Sequence, residues 1–172
     1  AKKFQLHQLS TGELLRKEIS DRSKLGQQIA SIINSGNLVS DSIVSDLIEK
    51  YISNDEYKNR LIFDGYPRNL NQTNNLNNLL TKYDQKIDIV LKLSVGIEII
   101  KKRIIERKNI EKRADDNEKI AVKRYQMYEK NIYPVINFYK ETKLLKVVNG
   151  ETSISEINDE ISRLIEGIKG WL

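Results

Sequence analysis

A parallel β-sheet covered by helices on both faces, an α/β fold, is the architecture the sequence predicts. Three observations predict it. Short apolar runs of strand length alternate with longer stretches whose apolar residues recur at helical spacing. The run Leu61, Ile62, Phe63 is apolar at consecutive positions, as suits a strand buried on both faces of a parallel sheet. Asp64, Gly65, Tyr66, Pro67 and Arg68 follow directly, so a carboxylate and a planar cation stand where that strand leaves the sheet. Ligands of open α/β proteins bind at this end. Gly65 suits a tight turn, and Pro67, which lacks an N–H, cannot continue a central strand.

Taken in order, residues 4–9 (FQLHQL) alternate loosely, as a short strand does. Ser10 and Glu13 have the spacing of a capping box opening a helix over 11–20 that carries Leu14, Leu15, Arg16 and Ile19. Ser10 and Thr11 either cap that helix and nothing more, or mark an end whose free N–H groups face an anion, with Arg16 one turn in. A second amphipathic helix spans 25–33 and stops at Ser35-Gly36; a third starts at Asp41 and ends near Ser53-Asn54. Asn37, Leu38 and Val39 connect them. Three helices before the second strand make a long crossover, the kind of insertion that builds a small mobile subdomain. The chain then reads as an Asn-rich helix over 70–80, a turn at 83–86 and a strand over 87–93. A helix over 96–107 sets Arg103 and Arg107 four residues apart on one face. The polar run 108–113 reads as a loop, and Asp115 with Glu118 as the cap of a helix that carries Arg124 to Tyr133. Pro134 either kinks that helix or separates it from a piece over 135–139. A strand over 144–148, an Asn149-Gly150 turn and an amphipathic helix over 154–168 close the chain.

The length of 172 residues suits one domain over 1–172 with a buried core. No run approaches membrane-spanning length and no secretory pattern is present, so neither an anchor nor export is expected. Cysteine is absent, which removes disulfides and thiolate metal sites and fits a reducing compartment; no structural zinc is expected. A single histidine, His7, tells against a His-based metal site and against a Ser/His/Asp triad. The net charge of +5 permits a polyanionic partner, either a nucleotide or a nucleic acid.

Arg16, Arg68, Arg103, Arg107, Arg113 and Arg124 fall at element ends or in loops. Either they form a solvated surface paired with the Asp and Glu residues, or they converge at the strand ends around a polyanion. Converging guanidinium groups repel unless an anion lies between them, and phosphoryl transfer between two nucleotides supplies one.

The ordered segments STGELLR (10–16), LVSDSIV (38–44), DGYPRNLNQ (64–72), RADDNEKIAVKR (113–124), PVINFY (134–139) and VVNG (147–150) resemble the adenylate kinases, within the nucleoside monophosphate kinases. The likeness covers nearly every segment. It implies a P-loop-kinase-type parallel sheet, of five strands in the family with four readable here, flanked by helices. A helical AMP-binding insertion would span 10–39 and a short lid 107–114. The implied reaction is reversible, Mg2+-dependent transfer from ATP to AMP giving two ADP, by a cytoplasmic monomer whose partners are these nucleotides and neither nucleic acid nor membrane. By the same resemblance Thr11, Gly12 and Arg16 hold AMP, and Asn37, Leu38 and Val39 line its base and ribose. Gly65, Tyr66 and Pro67 border the base, Arg68 takes the α-phosphate and Gln72 the adenine edge. Arg68, Arg103, Arg107, Arg113 and Arg124 form the catalytic set, Arg113 and Arg124 also touching AMP. Arg103 and Arg107 serve ATP, with Gly150 and Thr152 beside its adenine, and Asp64 holds the hydration shell of the magnesium. Pyrimidine monophosphate kinases usually carry Ala and Asn where Thr11 and Gln72 stand, so these two resemble the AMP-specific pattern. Tyr66 stands where Phe is commoner.

One departure is large: the phosphate loop G-x-x-x-x-G-K-[ST] occurs nowhere in the sequence. The resemblance places Ala1 where the helix after that loop ends, and implies that about twenty native residues, a central strand among them, are absent. A sheet without its central strand would leave apolar edges and a wide void. Other readings are a UMP/CMP or other monophosphate kinase, an inactive nucleotide-binding member, and a nucleic-acid-binding module. The last leaves the DGYPR segment unexplained.

Overall fold

The computed structural model describes residues 1–35, 37, 39–111 and 118–168. Four strands, β1 (His7–Ser10), β2 (Leu61–Asp64), β3 (Val90–Ser94) and β4 (Leu145–Asn149), form two parallel pairs, β1 with β2 and β3 with β4. The registers set Ser10 opposite Asp64 and Ser94 opposite Asn149, so the carboxyl ends of each pair are level. Helices α1 (Thr11–Ser20), α2 (Lys24–Asn34), α3 (Asp41–Ile52), α4 (Leu70–Lys82), α5 (Ile97–Glu111), α6 (Glu118–Glu141) and α7 (Ile154–Glu166) make up the connections. This is the mixed α/β architecture with parallel strands that the alternating pattern predicts. Among the described residues no helix is long and apolar enough to cross a membrane.

The core gathers on the β1–β2 half. Leu9 is fully buried among Ile29 and Ile33 of α2, Val44, Ile48 and Ile52 of α3, and Leu76 of α4. Helix α2 reaches α1 through Gly26: a Cβ there would lie 1.9 Å from the Glu18 carbonyl oxygen and 2.8 Å from Ile19 Cα. Those are backbone atoms and cannot swing aside. Gly26→Ala is therefore expected to destabilise the protein by at least about 2 kcal/mol, read as a lowered denaturant midpoint with an unchanged slope.

Several element boundaries differ from the sequence reading. Lys2–Phe4 is a 3-10 turn, and β1 begins only at His7, where Leu61 of β2 becomes available opposite it. Likewise β3 begins at Val90, where Leu145 provides a partner, and 85–89 runs unpaired ahead of it. Ser10 makes no side-chain cap: it is the last, extended residue of β1, held in register with Asp64. The reciprocal capping box forms instead at Ser153 and Glu156, where a turn precedes the helix and leaves the serine free to orient. The run 108–111 continues α5 rather than forming a loop, since 97–111 holds neither Gly nor Pro to stop it. Lys112, Arg113 and Asp115 lie outside the described residues. Pro134 sits inside a continuous α6, and no second helix starts after it.

The two strand pairs do not join. Between β2 and β3 lies a cavity of about 820 Å3, lined by Leu61 and Phe63 on one side and Val90 and Leu91 on the other. Helices α6 and α7 wall it with Val135, Tyr139 and Ile165. The Tyr139 hydroxyl is buried there with no hydrogen-bond partner among the described residues, and burial pushes its pKa up to about 12.

Candidate active site

At the carboxyl end of β2 the chain turns on Gly65, whose φ of +69° favours glycine. A Cβ at Gly65 would lie 3.0 Å from Arg68 Nη2, so the glycine also makes room for that guanidinium. Arg68 Nε donates to the Gly65 carbonyl at 2.6 Å, which ties the fork back over the turn. The Tyr66–Pro67 peptide is cis, and the Tyr66 ring is buried with its hydroxyl reaching the Gln72 carbonyl at 3.4 Å. Asp64 accepts from Gln8 Nε2 at 2.8 Å and is exposed at the mouth of the large cavity.

The arginines converge. Arg68, Arg103 and Arg124 line a second cavity of about 630 Å3, with Lys92 and Ser94 of β3 on its wall. Arg68 and Arg124 also line the first cavity, so the two spaces meet between them. Burial, and after it the like charge of Arg124, pull Arg68 below the ordinary arginine value, while Asp64 acts the other way. Arg103 Nη2 donates to the Gly150 carbonyl at 2.8 Å and is thereby fixed at the end of β4. Gly150 is itself confined: an added Cβ would meet Val95 Cγ2 at 2.4 Å. Thr152 is exposed just beyond, its hydroxyl donating to the Asn149 carbonyl at 3.4 Å. Arg107 falls one turn beyond Arg103 on α5, but its side chain, like all of Arg113, lies outside the described residues.

A second group assembles around the N-terminus of α1. Thr11 is buried as its first residue, and the Arg16 guanidinium folds over Gly12, within 3.3 Å of where a Cβ would stand. Val39 is buried in the core, and Leu38 lies outside the described residues. Asn37 is reached by Lys123 of α6, whose ammonium donates to Asn37 Oδ1 at 2.8 Å and to the Ser35 carbonyl at 3.1 Å. Gln72 is buried at the start of α4, its oxygen accepting from the Arg68 backbone N–H at 2.7 Å and its nitrogen donating to Asp41 Oδ1 at 2.7 Å.

Asp41 and Lys123 are not among the site residues that the sequence predicts. Asp41 also accepts from Asn69 at 3.2 Å and Asn71 at 2.8 Å. Burial alone would raise its carboxyl pKa, yet the donors Asn71, Gln72 and Asn69 outweigh it and hold the group below its ordinary value. The one signal in the sequence was the run of amides opening an otherwise ordinary helix at 69–72.

Catalysis of phosphoryl transfer consists mainly of positioning and charge neutralisation, and clustered guanidinium groups near the Asp64 carboxylate provide both. Comparison with known proteins points the same way. A family model described as adenylate kinase matches residues 1–144. An adenylate kinase from Prochlorococcus marinus (strain MIT 9515) is 41% identical over 155 residues, covering 90% of this chain and 82% of the relative. One from Pelagibacter ubique (strain HTCC1062) is 34% identical over 191 residues, covering 96% and 90%. One from Xanthomonas campestris pv. campestris (strain 8004) is 38% identical over 162 residues, covering 94% and 87%. With the arginine cluster at the strand ends, these likenesses establish that the chain belongs to the adenylate kinase family.

Proposed function

We propose that this protein transfers a phosphoryl group between ATP and AMP, giving two ADP, with AMP held on the α1–α3 side and ATP on the α5–β4 side. The observation that carries the reading is the convergence of Arg68, Arg103 and Arg124 on one cavity beside Asp64. Guanidinium groups drawn together favour an anion among them, and a nucleotide phosphate chain supplies one. Arg68 serves the α-phosphate of AMP, with Arg16, folded over the start of α1, beside it. Arg103 and Arg124, with Arg107 and Arg113, face the phosphates in transfer. Gln72 reads the adenine edge, with Thr11, Gly12, Asn37, Leu38, Val39, Gly65, Tyr66 and Pro67 around the base and ribose. Gly150 and Thr152 border the ATP adenine.

Magnesium suits the donor set. No group of three or more His, Cys, Asp or Glu able to hold a metal exists among the described residues. Magnesium needs none, since it keeps several waters and is commonly held by one carboxylate plus the substrate phosphates. Asp64, exposed at the strand end, is that carboxylate, acting through water. The ion would neutralise charge on the ATP phosphates.

The 107–114 segment serves as the lid and 10–39 as the AMP-binding subdomain. The apolar walls of the cavity between β2 and β3, and a Tyr139 hydroxyl with no partner among the described residues, would suit a further parallel strand there. The reading also carries a cytoplasmic monomer acting on free nucleotides rather than on nucleic acid. Calorimetric titration with AMP, UMP and CMP tests the base assignment. AMP is expected to bind tightest, and a pyrimidine preference would overturn the roles of Thr11 and Gln72.

A further inference from the structure

We propose that Asp41 is a positioning residue that fixes the polarity of the Gln72 amide, so that the site selects a 6-aminopurine monophosphate over its 6-oxopurine counterpart. The inference rests on the reading above that Gln72 faces the base of AMP.

Both neighbours of the amide admit one orientation only. A carboxylate only accepts, so the group 2.7 Å from Asp41 Oδ1 must be the Gln72 nitrogen. A backbone N–H only donates, so the group 2.7 Å from the Arg68 nitrogen must be the Gln72 oxygen. Turning the amide over would set oxygen against carboxylate and NH2 against N–H, in a side chain only 4% exposed. Asp41 is in turn held by Asn69 and Asn71, so the carboxylate cannot swing aside to allow the turn. The three amide donors outweigh its burial, and it stays ionised at neutral pH.

The amide retains one N–H and one oxygen lone pair beyond these bonds. Adenine offers an acceptor at N1 beside a donor at its 6-amino group. Hypoxanthine and guanine offer the reverse, an N1–H beside a 6-oxo acceptor. An amide of fixed polarity matches one order and opposes the other. An amide free to turn matches both. Selectivity among purines therefore belongs to Asp41 as much as to Gln72, although Asp41 need never touch the nucleotide.

The test is calorimetric binding of AMP and IMP to the 172-residue chain. The wild-type protein is expected to prefer AMP. Asp41→Asn has nearly the same shape but can present either a donor or an acceptor, so it is expected to narrow the ratio of IMP to AMP dissociation constants roughly tenfold. Asp41→Ser, whose hydroxyl also donates or accepts, provides a second variant should the first fail to fold. Asn78→Ala, an exposed change further along α4, leaves the Asp41–Gln72 bond and its supports in place and is expected to keep the wild-type ratio. If folded Asp41 variants lose affinity for both nucleotides equally, Asp41 is only structural and the inference is overturned. A wild-type chain that binds AMP and IMP alike overturns the inference while leaving the functional reading in place. A wild-type chain that binds neither overturns the functional reading, and the inference falls with it.

Discussion

The 172-residue polypeptide is expected to bind AMP yet form ADP at less than roughly a hundredth of the 1–100 s⁻¹ typical of kinases. Its residues provide half of what phosphoryl transfer needs. Arg68, Arg103 and Arg124 surround the space where phosphates would lie, and Asp64 stands at its edge. The sequence contains no glycine-rich loop with a following Lys to cradle the β- and γ-phosphates through backbone N–H groups. Between β2 and β3 there is instead a cavity of about 820 Å3 with apolar walls. Joining a strand and such a loop ahead of Ala1 is expected to fill that space and raise the rate by orders of magnitude. Coupled measurement of ADP formation on both polypeptides checks this. Near-normal turnover by the shorter one would show that the arginines suffice.

Arg68→Ala is expected to weaken AMP binding by about ten- to a hundredfold, the scale of hydrogen bonds made to a charged group. Arg68 is half-buried near Arg124, and both effects disfavour its charge, while Asp64 partly offsets them. An anion between the two guanidinium groups relieves that repulsion. The same logic predicts a second result: the Ala variant should melt no lower than wild type, since one of two neighbouring like charges has been removed. Arg68→Lys should recover only part of the affinity, because it keeps the charge but loses the fork and the Nε bond to Gly65. Unchanged AMP affinity in Arg68→Ala would remove Arg68 from the site.

Strand positions and helix order were legible in the sequence because apolar periodicity is set by burial, and burial is what the fold decides. Leu9, Ile48 and Leu76 show it: each sits at an apolar position of its element and each is fully buried. Boundaries were less legible. His7 and Val90 begin strands only because Leu61 and Leu145 lie opposite, and pairing is a property of two segments rather than one. Ser10 failed as a cap for the same reason. The arginines could be listed from the sequence, but their meeting could not be derived from spacing, since Arg68 and Arg124 come from separate elements on either side of β3. Asp41 was hidden differently. An acidic residue opening a helix is ordinary, and only its three amide partners from the start of α4 make it unusual.

The bond from Lys123 to Asn37 and the Ser35 carbonyl has a mechanical corollary. Lys123 is the immediate neighbour of Arg124, so the end of α2 and a guanidinium that lines both cavities hang from consecutive peptide units of α6. A displacement of Ser35 or Asn37 would reach the same helical turn that carries Arg124. The tether is exposed and therefore soft, on the order of 1 kcal/mol, which lets it break and re-form as nucleotides come and go. In the proposed reading, a change on the AMP side reaches Arg124 through a single lysine.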